Sequence, residues 1–263
     1  MKVPEVTAYF WIVKLLTTAM GEAISDYLVN DWNKYLGVLL GFVVFAVAVS
    51  LQFRGRTYRT GRYWLAVSMV AVFGTMCADV LHVVVGLSYA ASFALYAVLL
   101  AVTFTAWYRS EGTLDIHTVS TGRREVFYWL TVIFTFAMGT AVGDLTAMTL
   151  HLGYLASAFM FLGALLLPLI AWRLGASPVA AFWVAYVLTR PAGASFADYF
   201  GMPKDISGLG LGHAAVSAVL IVLVAAGIWL LKVSGKDAQR PPVAAQPAAQ
   251  PARTPSAPYS SGF

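Results

Sequence analysis

Apolar residues run along this chain in stretches of about 20, the length at which a helix crosses the roughly 30 Å hydrocarbon core of a bilayer. Eight such stretches are readable, at approximately residues 7–29, 35–53, 63–86, 88–108, 126–149, 153–173, 179–200 and 210–232. None alternates apolar and polar residues over short strands, as an outer-membrane barrel would. The pattern predicts an all-α integral membrane protein with eight transmembrane helices. The first stretch has no basic n-region and no small-residue cleavage site, and it carries Lys14, Glu22 and Asp26. It therefore reads as a retained span and not as a cleavable signal. Residues 1–235 form the expected transmembrane domain. The segment 236–263, rich in Pro, Ala, Ser and Gln, is expected to be a disordered cytoplasmic tail.

The odd-numbered stretches share a spacing. Trp11 precedes Asp26 by 15 residues, and the same interval separates Trp64 from Asp79, Trp129 from Asp144 and Trp183 from Asp198. Five residues before each Asp stands a glycine: Gly21, Gly74, Gly139 and Gly193. Three residue types in register four times mark an internal repeat. Its units cover about 7–53, 63–108, 126–173 and 179–232, each of two spans. Tyr35, Tyr89 and Tyr154 hold near-matching places on the second span of the first three units, with His213 as a candidate fourth. Successive Asp residues lie 53, 65 and 54 positions apart, which predicts two pseudo-symmetric halves of four helices joined by the long interior loop. An even number of spans per unit makes the repeats parallel, related about an axis along the membrane normal. The four Trp then share one depth, fitting an interfacial belt. The four Asp share another, about 22 Å further on at 1.5 Å per residue.

Composition confirms the class and adds an orientation. Of 263 residues, 60% are hydrophobic and 11% charged, with a mean hydropathy of +0.75, too few charges to cover a water-facing surface. The net charge of +5 would invite a nucleic-acid partner if it were clustered on a soluble face. Instead, 13 of the 17 Lys and Arg lie in the loops and termini on the side of the N-terminus, and two, Lys34 and Lys204, on the other. By the positive-inside rule both termini are cytoplasmic, and the cations have anionic lipid as their partner, not DNA or RNA. A single cysteine, Cys77, excludes an intrachain disulfide and reads as a packing residue.

Four tandem two-span units, each with a recurrent Trp, resemble the four-repeat bacterial membrane proteins of the DUF347 repeat family. The opening stretch KVPEVTAYFWIVKLLTTAMGEAISDYL is especially similar to its members. The resemblance covers residues 1–235 and implies a protein of the bacterial cytoplasmic membrane. It brings no established activity, so function is argued from the residues.

Charged residues within spans usually face a bundle interior and mark a pathway. Asp26, Asp79, Asp144 and Asp198, with Glu22 as a fifth acid, are the candidate ion-binding or substrate-binding residues, and the four Asp the candidate metal ligands. Glu22 and Asp26 are four apart and share one helix face, so either a cation sits between them or one keeps its proton. Ser25 and Thr140 add hydroxyl oxygens of the kind hard cations take. The competing structural reading makes the Asp hydrated helix caps, and the glycine before each a packing glycine. Arg190, followed by Pro191, is too deep to snorkel easily; it is expected to pair with Glu22 or Asp198 beside a kink. Lys14 reads either as a snorkelling interface lysine or as a counter-ion in a vestibule. His82, His151 and His213 are candidate ligands or proton relays, weighed against ordinary packing histidines.

These residues favour a membrane transporter without enzymatic activity, moving an inorganic cation, divalent metals included, or a proton together with a small solute. No cofactor is expected beyond a bound cation, and self-association into a homo-oligomer is compatible with the sequence. A passive cation channel with an Asp ring and a non-transporting structural or sensory membrane protein are the alternatives. An intramembrane aspartyl protease fits poorly, because neither Asp26 nor Asp144 follows Gly-x-Gly and no Pro-Ala-Leu occurs.

Overall fold

The structure is a computed structural model and describes residues 1–120 and 122–238. The tail expected at 236–263 therefore lies, from 239 onward, outside the described residues. Among the described residues the chain is helical throughout, without strands. The helices are α1 (Ala8–Asp26), α2 (Lys34–Arg54), α3 (Thr60–Asp79), α4 (Tyr89–Glu111), α5 (Arg123–Asp144), α6 (Tyr154–Ala164), α7 (Leu166–Arg173), α8 (Pro178–Gly201) and α9 (His213–Ser234). Six helical stretches are long and apolar enough to cross a membrane, the first running from Ala8 to Arg54. The chain reverses within that stretch at Asn33 (φ −151°, ψ 111°), whose side chain accepts hydrogen bonds from the amides of Tyr35 and Leu36 at the start of α2. This is a multi-pass membrane protein. Its exposed faces on α2, α7 and α9 are almost wholly apolar, a surface for lipid to cover.

Two departures from regular helix have local causes. Pro168 lacks an amide hydrogen and its ring crowds the carbonyl four residues back, at Ala164, where α6 stops and α7 resumes two residues later. Directly after Asp26, Asp79 and Asp144 the α-helix widens into π-helical turns, Tyr27–Asn33, Val80–Val84 and Leu145–Thr149. The helix thus departs from regular geometry after the acids and not at the glycines before them. At Pro191 helical residues continue without interruption to Gly201.

The first helices of the four units close into a ring: α1 packs on α3 and α8, and α5 packs on the same two. Each second helix lies outside, against the first helix of the next unit: α2 on α3, α4 on α5, α6 on α8, and α9 back on α1. The recurrent glycines permit this closeness. A Cβ on Gly21 would strike Ala71, on Gly74 Phe136, on Gly139 Arg190, and on Gly193 Thr18, so each helix presses its glycine on the following one. Gly74→Ala would bring a Cβ to 2.7 Å from the Phe136 Cβ, an atom fixed to a packed helix. It is expected to lower stability by about 1–3 kcal/mol, read as a fall in the thermal unfolding midpoint in detergent.

The Trp end of the ring corrects an expectation. Trp64 and Trp129 are buried, at 0% and 2% exposure, and Trp183 with them, so these residues are core and not an interfacial belt. Each Trp follows another aromatic residue, and that neighbour touches the Trp of an adjoining unit. Ring centroids lie 5.6 Å apart for Phe10–Trp64, 5.9 Å for Tyr63–Trp129, 6.2 Å for Tyr128–Trp183 and 5.5 Å for Phe182–Trp11. Eight aromatic side chains thus form a collar across the bundle, with the Tyr63 and Tyr128 hydroxyls 2.5 Å apart within it. The N-terminal segment lies over this end. The Lys2 ammonium bonds the Glu125 carboxylate and the Phe53 carbonyl, and the Asp237 carbonyl accepts from the Glu5 amide. Tyr58 donates to the Asp237 carboxylate; burial first, then that carboxylate, push its hydroxyl above its ordinary range and keep the proton on the donor.

Candidate functional site

At the other end of the ring stand the acids. Constant rise per residue places equivalent positions of the four inner helices at matching levels along the bundle. Asp26, Asp79, Asp144 and Asp198 form one level. One turn deeper come Glu22, Thr75, Thr140 and Ala194; a further turn down are Thr18, Ala71, Phe136 and Arg190. Polar side chains from successive levels meet at the centre.

Glu22, Asp26 and Asp198 are all buried, and each offers a carboxylate oxygen within 4.8 Å of the other two. Asp79 is tied to this group through Ser25, whose hydroxyl donates to its Oδ2 at 3.2 Å. Asp144 completes the set on α5, close enough for its charge to act on Asp26 and Asp198. Asp79 and Asp144 are half-buried, more exposed than Glu22, Asp26 and Asp198. Asn30, in the π-helical turns, donates to Asp26 Oδ1 at 3.3 Å. Asp26 and Asp198 lie within hydrogen-bonding reach of each other, each with one buried oxygen that no donor group serves, and the hydroxyl of Ser195, one turn above Pro191, is buried without a hydrogen-bond partner.

Arg190 lies beneath these acids. It is fully buried, and its Nη2 lies 2.5 Å from Glu22 Oε2 and 2.7 Å from the Thr140 hydroxyl, and also bonds Thr75; Nη1 donates to the Thr18 carbonyl at 3.1 Å. One α8 side chain thereby crosses the axis and engages α1, α3 and α5. The expected ion pair forms with Glu22. Lys14 departs from both readings made of it. At 1% exposure it does not snorkel, and no acid among the described residues pairs with it. Its ammonium instead lies over the rings of Phe136 and Tyr186, at 4.1 and 4.3 Å from their centroids, a cation–π arrangement below Arg190.

The histidines separate. His213 heads α9 and reaches the centre, with Nδ1 at 3.0 Å from Asp31 Oδ2 and Nε2 at 3.8 Å from Asp26 Oδ2. His82 is stacked on Tyr89 at 3.8 Å and bonded to the Leu87 carbonyl. His151 is exposed in a turn with φ 56° and does not join the acids. Tyr89 and Tyr154 begin α4 and α6, Tyr154 buried, whereas Tyr35 is exposed.

Thr75, Asn30 and Asp31 take part without having been singled out from the sequence. Thr75 was legible, since it holds the repeat position of Glu22 and Thr140; Asn30 and Asp31 carry no repeat signal. An apolar cleft of about 730 Å³ lies elsewhere, between α1, α7 and α8, walled by Trp11, Leu15, Pro168, Trp172 and Phe182. It does not touch the acidic centre.

Five carboxyl groups stand here with one guanidinium, a set able either to take up protons or to coordinate a cation. No curated protein and no solved structure matches the chain. A repeat of unknown function, DUF347, matches it four times, at residues 9–58, 62–113, 127–175 and 181–237. These four matches are the four units whose inner helices make the ring, and the chain belongs to the DUF347 repeat family.

Proposed function

We propose that this protein is a carrier of the bacterial cytoplasmic membrane that moves an inorganic cation, or a proton together with a small solute, through the acidic centre. The observation that carries this reading is the convergence of Glu22, Asp26 and Asp198, buried and within 4.8 Å of one another, beside Asp79 and Asp144. Eight crossings follow if α1 and α2 count separately, α6 and α7 together, and α8 is included. The units are then parallel, both termini are cytoplasmic, and the acids lie toward the outer face. The arginine-rich loops at the Trp end support that orientation. In this reading the protein is not an enzyme and needs no cofactor.

Arg190 supplies an exchange device. Tethered beneath the acids, it competes with an incoming cation for Glu22. Release of Glu22 by the guanidinium would free a ligand for the cation, and the pair would re-form once the cation leaves. The aromatic collar and the Arg190 crosspiece both obstruct the axis, which favours a gated carrier over a passive pore.

Reconstituted protein in liposomes is the test. Saturable uptake of a divalent cation, or of protons with a solute, is expected without discrete conductance steps in planar bilayers. Unitary steps would assign a channel instead, and the absence of flux for protons, alkali and divalent cations would leave a structural or sensory protein.

A further inference from the structure

His213 and Asp31 add a different chemistry to the acids. With Nδ1–H donated to the Asp31 carboxylate at 3.0 Å, the neutral ring keeps its lone pair on Nε2. That nitrogen is buried without a hydrogen-bond partner, the side chain being 9% exposed, and it faces Asp26 Oδ2 at 3.8 Å. In that tautomer the nitrogen lone pair and the Asp26 oxygen face each other across this distance. The ring is also held in place. Gly201, one turn past Asp198 on α8, has no side chain where a Cβ would come 2.7 Å from His213 Cδ2. A histidine whose second nitrogen is anchored by a carboxylate is the usual arrangement for a metal ligand, because the anchor fixes ring orientation and raises basicity.

We propose that His213 Nε2 joins Asp26, Asp198 and Glu22 as a ligand, oriented by Asp31, and that the site selects a divalent transition cation of the zinc, cobalt or manganese kind. The inference rests on the acidic centre being a cation site and names the cation it takes. Imidazole nitrogen suits such metals, whereas magnesium and calcium take oxygen alone. Ligand distances of about 2.0–2.2 Å to nitrogen and oxygen let one ion bridge His213 and Asp26 with little movement. The cation is cargo or coupling ion here, so its release matters as much as its capture. Glu22, shared with Arg190, is the ligand whose exchange frees it.

The test uses the purified full chain in detergent. Zinc K-edge X-ray absorption of the Zn²⁺-loaded protein is expected to show imidazole scattering beside oxygen ligands; a shell of oxygen alone overturns the proposal. Competition binding of Zn²⁺ and Mg²⁺ then separates the proposal from the reading beneath it. His213→Gln is expected to lose Zn²⁺ affinity at least ten times more steeply than Mg²⁺ affinity. Asp31→Asn is expected to cost about 10–100-fold for Zn²⁺. Asp198→Asn is expected to weaken both ions. Unchanged Zn²⁺ affinity in His213→Gln, with both ions lost in Asp198→Asn, would leave the acidic centre standing and remove the histidine from it, as a protonated His213 paired with Asp26 would produce. No loss in any of the three variants would remove both.

Discussion

Asp26→Asn is expected to abolish transport while leaving a folded protein. Asp26 is 5% exposed, shares its site with Glu22 and Asp198, and has one carboxylate oxygen with no hydrogen-bond partner. Replacing it with the isosteric amide keeps the shape and polarity of the side chain and adds no charge to a crowded group of acids, so no new repulsion or burial cost arises. Asn30, its donor at 3.3 Å, keeps an acceptor in the amide oxygen. Stability should therefore hold, and only the capacity to bind a cation should fall. Proteoliposome flux, beside a thermal melt in detergent, reads both effects. Wild-type flux in both Asp26→Asn and Asp198→Asn would sink the carrier reading, whatever the ion.

The second large effect concerns stability. Arg190→Met is expected to cost about 3–5 kcal/mol. The cost arises at Glu22, whose carboxylate would remain buried beside the Asp residues after losing its partner at 2.5 Å. Thr75 softens the change slightly, since its hydroxyl already has the Ala71 carbonyl at 3.0 Å. Because the penalty is an unpaired charge and not a lost contact, the double variant Glu22→Gln with Arg190→Met should recover most of it. A strongly lowered unfolding midpoint in the single variant, restored in the double, is the expected result. Equal midpoints for wild type and Arg190→Met would show that the pair bears no weight in the fold.

The acidic centre was largely readable before the structure. The recurring Trp, Gly and Asp kept their spacing through four units, and constant rise per residue turns spacing into depth. Depth alone does not say which way a side chain faces. Trp64 and Trp129, flanked by arginine-rich loops, fit an interfacial belt and a buried collar equally well by position. Packing chose the collar, because the aromatic residue before each Trp reaches across to the next unit. Lys14 was ambiguous for the same reason: three residues past Trp11 it is close enough to the interface to snorkel, yet its helix face turns it inward over Phe136 and Tyr186.

His213 and Asp31 were beyond reach of sequence reasoning as a pair. They lie 182 positions apart and meet only because α9 returns to pack on α1, closing the circle that began there. His82, closer in sequence to its Asp, stacks on Tyr89 and bonds the Leu87 carbonyl.

By itself, then, the sequence determined the helices, the four-unit repeat, the membrane class and the levels at which charge sits, since all of these depend on periodicity and composition along one chain. Only the tertiary structure decided which helices are neighbours and which faces meet at the axis. Those choices come from contacts between units, each glycine admitting the next helix until the fourth meets the first. Ring closure is what carries Arg190 to Glu22 and His213 to Asp26.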